Sequence, residues 1–334
     1  MRIAIDAMGG DYAPGEIVAG TLAALDHVNG DELILIGDEN LIRPMLGDPR
    51  RWEGRLQIEH APEVIAMDDP PVEAIRKKRN SSINLMAKMG SDGRADVVIS
   101  AGNTGACVAA CQMRMRLLPG VHRPGILVVF PTFAGPVVAI DVGANIAPKP
   151  SHLHQYAIMG SIYAREVVKI PNPRLGLISI GQEDAKGNEL VKRVNQLLRE
   201  DERIDFIGNV EPREFLNRPA DVVICDGFVG NVILKLTEGL AEGLFKAILR
   251  ELSSYDAKMA EAFKPVMQRL YAKHDYNEYG GAPLLGVDGT AIICHGSSNA
   301  HAMKTAIICS RRQAQANVNQ KIAQQVGSMP AEDA

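Results

Sequence analysis

The sequence predicts a three-layer α/β/α sandwich, and three observations carry that prediction. Short β-rich runs recur and end in Gly, Asn, Asp or Ser, each followed by a segment of helical period, the pattern of βα units. The chain is 46% hydrophobic but only 4% aromatic, so its core must be built from Ala, Val, Ile and Leu, which suits buried parallel strands and closely packed helices. Its 334 residues, at about 100 to 200 per domain, allow one large domain or two modest ones. No low-complexity linker divides them, so one α/β/α domain over 1–334 is expected.

Taken in order, strands are expected at 2–6, 32–37, 55–59, 95–100, 125–130, 137–142, 174–180, 204–208, 220–225 and 290–294. Each is an aliphatic, β-branched run stopped by turn formers. Amphipathic periodicity predicts helices at 15–28, 104–118, 152–168, 189–199 and 298–325. The uncharged run 125–140 is too short for a membrane span of about 18 residues and holds Pro131 and Pro136, so it reads as two strands and a turn.

Residues 233–274 differ from the rest. Leu236, Leu240, Leu244, Ala247, Ile248 and Leu252 form one helical stripe, and Met259, Phe263, Val266, Met267 and Leu270 a second, flanked by Lys258, Lys264, Arg269 and Lys273. This predicts an amphipathic helical hairpin, either packed on its own core or a dimer partner, or docking reversibly on a membrane or protein. A variable tail is expected over about 315–334.

With 36 basic and 40 acidic residues, the net charge is -4, and neither a basic domain nor stacking aromatics speak for nucleic acid. The opening MRIAIDAMGGDYAP places Asp6 and Asp11 where a secretory signal needs an apolar stretch, so a cytoplasmic protein is expected. Five cysteines do not make a disulfide framework, and Cys107 and Cys111, one helical turn apart, read as small core residues. The HxH pair His152 and His154 lacks a carboxylate or Cys at supporting spacing, and no metal is expected.

Chemistry concentrates in four loops: SAGNTG at 100–105, DVGAN at 141–145, DGFVGN at 226–231 and HGSSN at 295–299. Glycines free backbone N–H groups near helix N-termini, and Asn, Ser and Thr add neutral donors, so the set favours a phosphate-bearing ligand. ADVVISAGNTGA from Ala95 and ADVVICDGFVGN from Ala220 echo one another, which suggests two strands delivering similar loops to the same sheet edge. A P-loop, a GxGxxG fingerprint and a GxSxG elbow are all missing. Lys149 and Lys186 are candidate cations, and the run Arg76-Lys-Lys-Arg79 reads as a solvated helix end or as a landing patch for an acidic carrier.

IAIDAMGGDYAP at 3–14, SAGNTGA at 100–106, DAKGNE at 184–189, IGNVE at 207–211, CDGFVGN at 225–231, YGGAPLLG at 279–286 and HGSSN at 295–299 closely resemble the bacterial acyl-ACP:phosphate acyltransferase family, PlsX. The match runs in order from Met1 to about Ala314. Gln182 departs from it, standing where an acidic residue is expected before Glu183. The resemblance implies Rossmann-like βα units similar to the phosphotransacetylase fold, a homodimer, no cofactor, and long-chain acyl transfer from acyl carrier protein to inorganic phosphate. The acyl phosphate would feed the acylation of glycerol 3-phosphate by a downstream acyltransferase, with peripheral contact at the cell membrane.

On this basis Asn103, Thr104, Gly105, Ser297 and Ser298 are expected to cradle phosphate. Lys186 would neutralise phosphate or the oxyanion, and Asn231 would donate to the thioester carbonyl. Asp226 and His295 are secondary catalytic candidates, with Glu183, Asn188 and Asn145 in support. Phosphate is already a nucleophile and a thiol a good leaving group, so no Cys or Ser nucleophile is required and a ternary complex is expected. The alternatives are a phosphotransacetylase or phosphotransbutyrylase acting on acyl-CoA, and a catalytically silent membrane-associated scaffold.

Overall fold

The computed structural model describes residues 1–273 and 276–327. Eleven strands among them form one sheet: β1 (Arg2–Asp6), β2 (Glu32–Gly37), β3 (Leu56–His60), β4 (Val97–Ser100), β5 (Gly125–Thr132), β6 (Gly135–Ile140), β7 (Arg174–Ile178), β8 (Asp205–Val210), β9 (Val222–Ile224), β10 (Ala282–Leu285) and β11 (Thr290–Ile293). The helices are α1 (Gly15–Ala24), α2 (Glu39–Ile42), α3 (Pro71–Lys77), α4 (Ser82–Ser91), α5 (Thr104–Arg114), α6 (Pro150–Tyr163), α7 (Glu189–Glu200), α8 (Gly227–Tyr255), α9 (Ala257–Lys273), α10 (Ala300–Gln315) and α11 (Val318–Val326). Every expected strand forms, with ends shifted by two residues at most. β10 was not expected: it follows two glycines at positive φ and carries Pro283.

The strands lie in the order β3-β2-β1-β4-β11-β10-β5-β6-β9-β7-β8. The first five are mutually parallel, β10 runs against both β11 and β5, and β6 runs against β5. β6, β9, β7 and β8 are therefore parallel to one another and opposite to the first half of the sheet. The strand directions obey a pseudo-two-fold axis normal to the sheet between β10 and β5, pairing β4 with β9, β11 with β6 and β1 with β7. This overturns the expectation that the echoed segments serve one edge: the loops after β4 and β9 leave opposite ends of the sheet.

Three apolar clusters fill the sandwich. One face of the whole sheet packs under α3, α4, α5 and the base of α8, with Leu234 joining it. On the other face, Met303, Ala306 and Ile307 of α10 and Ile17 and Val18 of α1 cover the first half. α6, α7 and α11 cover the second. The helix expected over 298–325 breaks at Asn317, which adopts φ 51. Val318, Ile322 and Val326 of α11 are buried, so the first part of the expected tail closes a core; residues 328–334 lie outside the described ones.

The hairpin begins six residues before the expected start at 233, and its expected end at 274 lies outside the described residues. α8 is 29 residues long, and beyond Leu234 none of its residues is fully buried. It packs on α9 instead, leaving Leu236, Leu240 and Leu244 exposed, together with Met259, Phe263 and Leu270 of α9. No helix among the described residues is long and apolar enough to cross a membrane.

Candidate active site

Three strand-end loops converge where β1, β4 and β11 end. Gly10, at φ +110, is the meeting point: a Cβ there would stand 3.0 Å from the Gly296 carbonyl oxygen and 3.3 Å from that of Ala101. Only glycine takes that backbone region without strain, and only its missing side chain admits both carbonyls. The Asp11 amide donates to Gly296 O at 2.7 Å, locking the first loop to the third. Below them Asp6 is buried and accepts from Ser100 Oγ at 2.7 Å and from the Met8 amide at 3.1 Å; burial pushes its carboxyl pKa up.

His295 heads the third loop and is half-buried. Its Nδ1 lies 2.7 Å from Ser297 Oγ, and its Nε2 lies 2.5 Å from the Lys235 ammonium, which reaches over from the third turn of α8. Glu238, one turn further along α8, sits 3.0 Å from Lys235 and 4.0 Å from His295. Burial and Lys235 lower the His295 pKa, while Glu238 and Asp11 oppose them. The Lys235 ammonium can only donate, toward Nε2, while the Ser297 amide donates to Nδ1 at 3.2 Å. A neutral imidazole accepts at one nitrogen only, so the two donors compete for the ring, and Ser297 Oγ stands beside the nitrogen that its own amide faces.

Two buried oxygens beside this network have no hydrogen-bond partner: Ser298 Oγ and Glu238 Oε1. Buried polar atoms are otherwise paired as a rule, so such a pair marks where a polar ligand belongs. Neighbouring donors come from α5, where the exposed Thr104 and Gly105 leave their amides without a protein acceptor among the described residues. The α10 terminus is less open, because the Ala300 amide donates to Glu16 at 2.6 Å and the Ala302 amide to Asn299 at 2.9 Å.

Several expected ligand contacts turn out to be framework. Asn103 accepts from the Ala106 amide at 3.0 Å and caps α5, while its Nδ2 serves the carbonyls of Ala66, Met67 and Asp69. It shapes the cradle but has no hydrogen left for phosphate. Asp226 caps α8 by accepting from the Phe228 and Val229 amides at 3.0 and 2.9 Å. Asn145 donates to Tyr156 Oη and Pro124 O, both at 2.7 Å, and its carbonyl accepts from the Gly227 amide at 2.8 Å, which ties the base of α8 to β6. A Cβ on Gly230 would come within 2.0 Å of Asp141 O, so α8 can seat only over glycine there.

Lys186 lies in the loop after β7, at the sheet end opposite His295. Glu183 O in that loop accepts from the Lys186 amide and from Asn209 Nδ2, both at 2.9 Å, and Asn188 caps α7. Lys186, Glu183 and Asn188 therefore form one group, and Ser297, Ser298, His295, Thr104 and Gly105 another. Asn231 lies beside Gly143, at the Lys186 end, and one helical turn before Lys235 on the same face of α8. Lys235 and Glu238 were missed in the sequence. Their spacing from Asn231, four and seven residues, was the available signal.

Cys225 is buried, and burial, with Asp141 and Asp226 nearby, holds its thiol pKa well above the usual range. It donates to Asp141 O and is no nucleophile. His154 pairs with Asp201 at 2.7 Å, and His152 Nδ1 accepts the Lys149 amide at the start of α6.

A family model described as "Fatty acid synthesis protein" matches residues 1–321. A phosphate acyltransferase of Trichlorobacter lovleyi is 45% identical over 328 residues, covering 98% of this chain and 94% of the relative. A phosphate acyltransferase of Moorella thermoacetica is 46% identical over 332 residues, covering 99% and 96%. Among solved structures, a phosphotransacetylase from Streptococcus pyogenes superposes with a TM-score of 0.63 at 16% identity, covering 94% of each chain. At that identity the likeness is one of fold.

Proposed function

The chain belongs to the fatty acid synthesis protein family, and from that premise we propose that it is a phosphate acyltransferase, moving a long-chain acyl group from acyl carrier protein to inorganic phosphate. The observation that carries the mechanism is the unpartnered Ser298 hydroxyl beside Ser297, His295 and Lys235. In this reading the serines position phosphate and do not attack the thioester.

Phosphate binds between Ser297, Ser298, the Thr104 and Gly105 amides and Lys235. Its oxygen adds to the thioester carbonyl, the C–O bond forms, and the C–S bond breaks as the tetrahedral intermediate collapses. One proton must pass from monohydrogen phosphate to the departing thiolate, and Glu238 is the carboxylate beside the cradle that can accept and return it. Donors already in place for the oxyanion lower the barrier without reorganising. Asn231, on the Lys235 face of α8, is placed to donate to the thioester carbonyl.

Lys186 keeps its proposed role of neutralising charge only if the two groups of site residues meet. A homodimer whose two-fold axis apposes opposite sheet ends would bring the Lys186 group of one copy to the Ser297 group of the other. Mixed dimers of Lys186→Ala and Ser297→Ala test this. They should exceed the activity of both parents, and mixtures no more active than their parents would rule out Lys186 serving the partner's Ser297 group. The exposed leucines of the hairpin support peripheral contact with a membrane, where acyl phosphate would pass to a glycerol 3-phosphate acyltransferase.

The test of the reaction is acyl phosphate formation from labelled phosphate, comparing acyl carrier protein with coenzyme A as acyl donor. Intersecting initial-rate lines and preference for the carrier are expected. Parallel lines, or a trapped acyl group on Ser297, would overturn direct transfer.

A further inference from the structure

Half of the lysines and arginines of this acidic protein pair with carboxylates among the described residues, as Lys77 does with Glu73 and Lys78 with Asp69. Arg76, Arg79, Lys88, Arg114 and Arg116 are different: none forms an ion pair among the described residues. They come from the C-terminal ends of α3, α4 and α5 and the turns that follow, and they gather around two adjoining depressions of about 390 and 460 Å³. Arg114 and Met113 line both depressions, and Met113 is 52% exposed between the cations. The larger one also holds two carboxylates, Asp92 and Asp288.

Arg76, Lys88 and Arg114 are each favoured singly in the last turn of their helices, but like charges gathered in one place repel one another. A complementary acidic surface would relieve that repulsion and be steered toward the patch. An exposed methionine ringed by arginines is also the composition of a protein-binding surface, where Met and Arg are enriched. Distance adds a second argument. Thr104 and Arg114 stand at the two ends of α5, so ten residues at about 1.5 Å each put the patch about 15 Å from the cradle. A substrate carried on a flexible arm must dock away from the chemistry by such a distance, whereas a free small thioester has no use for the patch.

We propose that this basic depression docks the acidic face of acyl carrier protein, with the thiol-bearing arm running along α5 to the site. The inference rests on the carrier-borne thioester being the substrate.

The experiment uses the full-length enzyme with R76E/R114E and, as a charge-conserving control, R76K/R114K. Thermal melting checks that both fold. Each is assayed with acyl carrier protein thioester and with acyl-pantetheine, which lacks the carrier. Expected for R76E/R114E is about a tenfold rise in carrier KM, with kcat, phosphate KM and all acyl-pantetheine kinetics unchanged. The lysine pair should stay near wild type, and rising salt should weaken carrier use in wild type more than in R76E/R114E. An unchanged carrier KM in folded R76E/R114E overturns the proposal. So does an equal loss with both thioesters, which would mean a distorted site, or a loss confined to binding of anionic phospholipid vesicles, which would make the patch a lipid contact. A wild-type enzyme that turns over acyl-pantetheine but ignores the carrier would instead remove the substrate reading itself.

Discussion

Replacing Lys235 by Met separates the cradle described above from a chance surface contact. Methionine keeps the helix propensity and most of the aliphatic stem, so α8 should form as before. What disappears is one ammonium 2.5 Å from His295 Nε2 and, in the complex, its bond to phosphate. Hydrogen bonds to charged groups contribute about 1.5–3 kcal/mol. The Lys235 side chain is 50% exposed, so solvent screening places it at the lower end of that range. About 1.5 kcal/mol corresponds to roughly a tenfold rise in the KM for phosphate, since 1.36 kcal/mol is a factor of ten. The KM for the acyl donor should not move.

The pH dependence of that loss gives the sharper readout. Lys235 is one of the two causes that hold the His295 pKa down, and Glu238 and Asp11 push it up. Without the ammonium the imidazole pKa rises, so it becomes cationic as pH falls and stands in for the missing charge. The ratio of mutant to wild-type phosphate KM should therefore be largest near pH 8 and shrink toward pH 6. Taking the ratio cancels the titration of phosphate itself. Initial rates at varied phosphate and fixed acyl donor measure it. A ratio within about twofold of unity at pH 8 would refute the reasoning.

Four further outcomes are expected. Ser297→Ala should lower kcat/KM by about 10–100-fold through loss of one donor, and mass spectrometry of wild type mixed with acyl donor alone should find no acylated protein. Gly230→Ala drives a Cβ to within 2.0 Å of Asp141 O; at about 3 kcal/mol or more for such overpacking, the melting temperature should fall by roughly 4 °C or more, and an unchanged melt would argue against the seating of α8. His152 is held at about 4 by burial, then by Arg123, His122 and Lys149. The unfolded chain then binds the extra proton between about pH 6.5 and 4, stability falls as pH drops through that window, and His152→Gln, which retains an acceptor for the Lys149 amide, should flatten the fall in denaturant titrations. Changing Phe263 and Leu270 to Glu should abolish flotation with lipid vesicles, and undiminished flotation would free the hairpin of that role.

The strands were legible because aliphatic runs between turn formers leave little choice of structure. β10 was not: APLL is four residues long, follows two glycines and contains a proline, so nothing local marks it as a strand. Direction was also hidden. A run such as VVIS or VVI reads alike whichever way it enters the sheet, and only the antiparallel β10, β5 and β6 reverse the second half. That reversal divided the expected site residues between two sheet ends. The glycine-rich loops do lie at strand ends, yet side-chain hydrogen bonds within them depended on competition from the backbone. Asn103 and Asp226 had amides and carbonyls within reach that no spacing rule discloses. Lys235 is 60 positions from His295, and only the path of α8 over the sheet joins them.

That path makes α8 a lever. Its base is pinned by the Asp226 cap, by Asn145 and by the close approach at Gly230, and its 29 residues extend about 43 Å at 1.5 Å each. Lys235 lies eight residues from Gly227, about 12 Å from the fulcrum by the same rise. The gearing is therefore about 3.5 to 1, and a swing of 3.5 Å at the hairpin tip reaches the ammonium as about 1 Å. Hydrogen bonds fail over that interval. Whatever rests on the far end of the hairpin, its position is transmitted, reduced but not lost, to the ammonium beside His295.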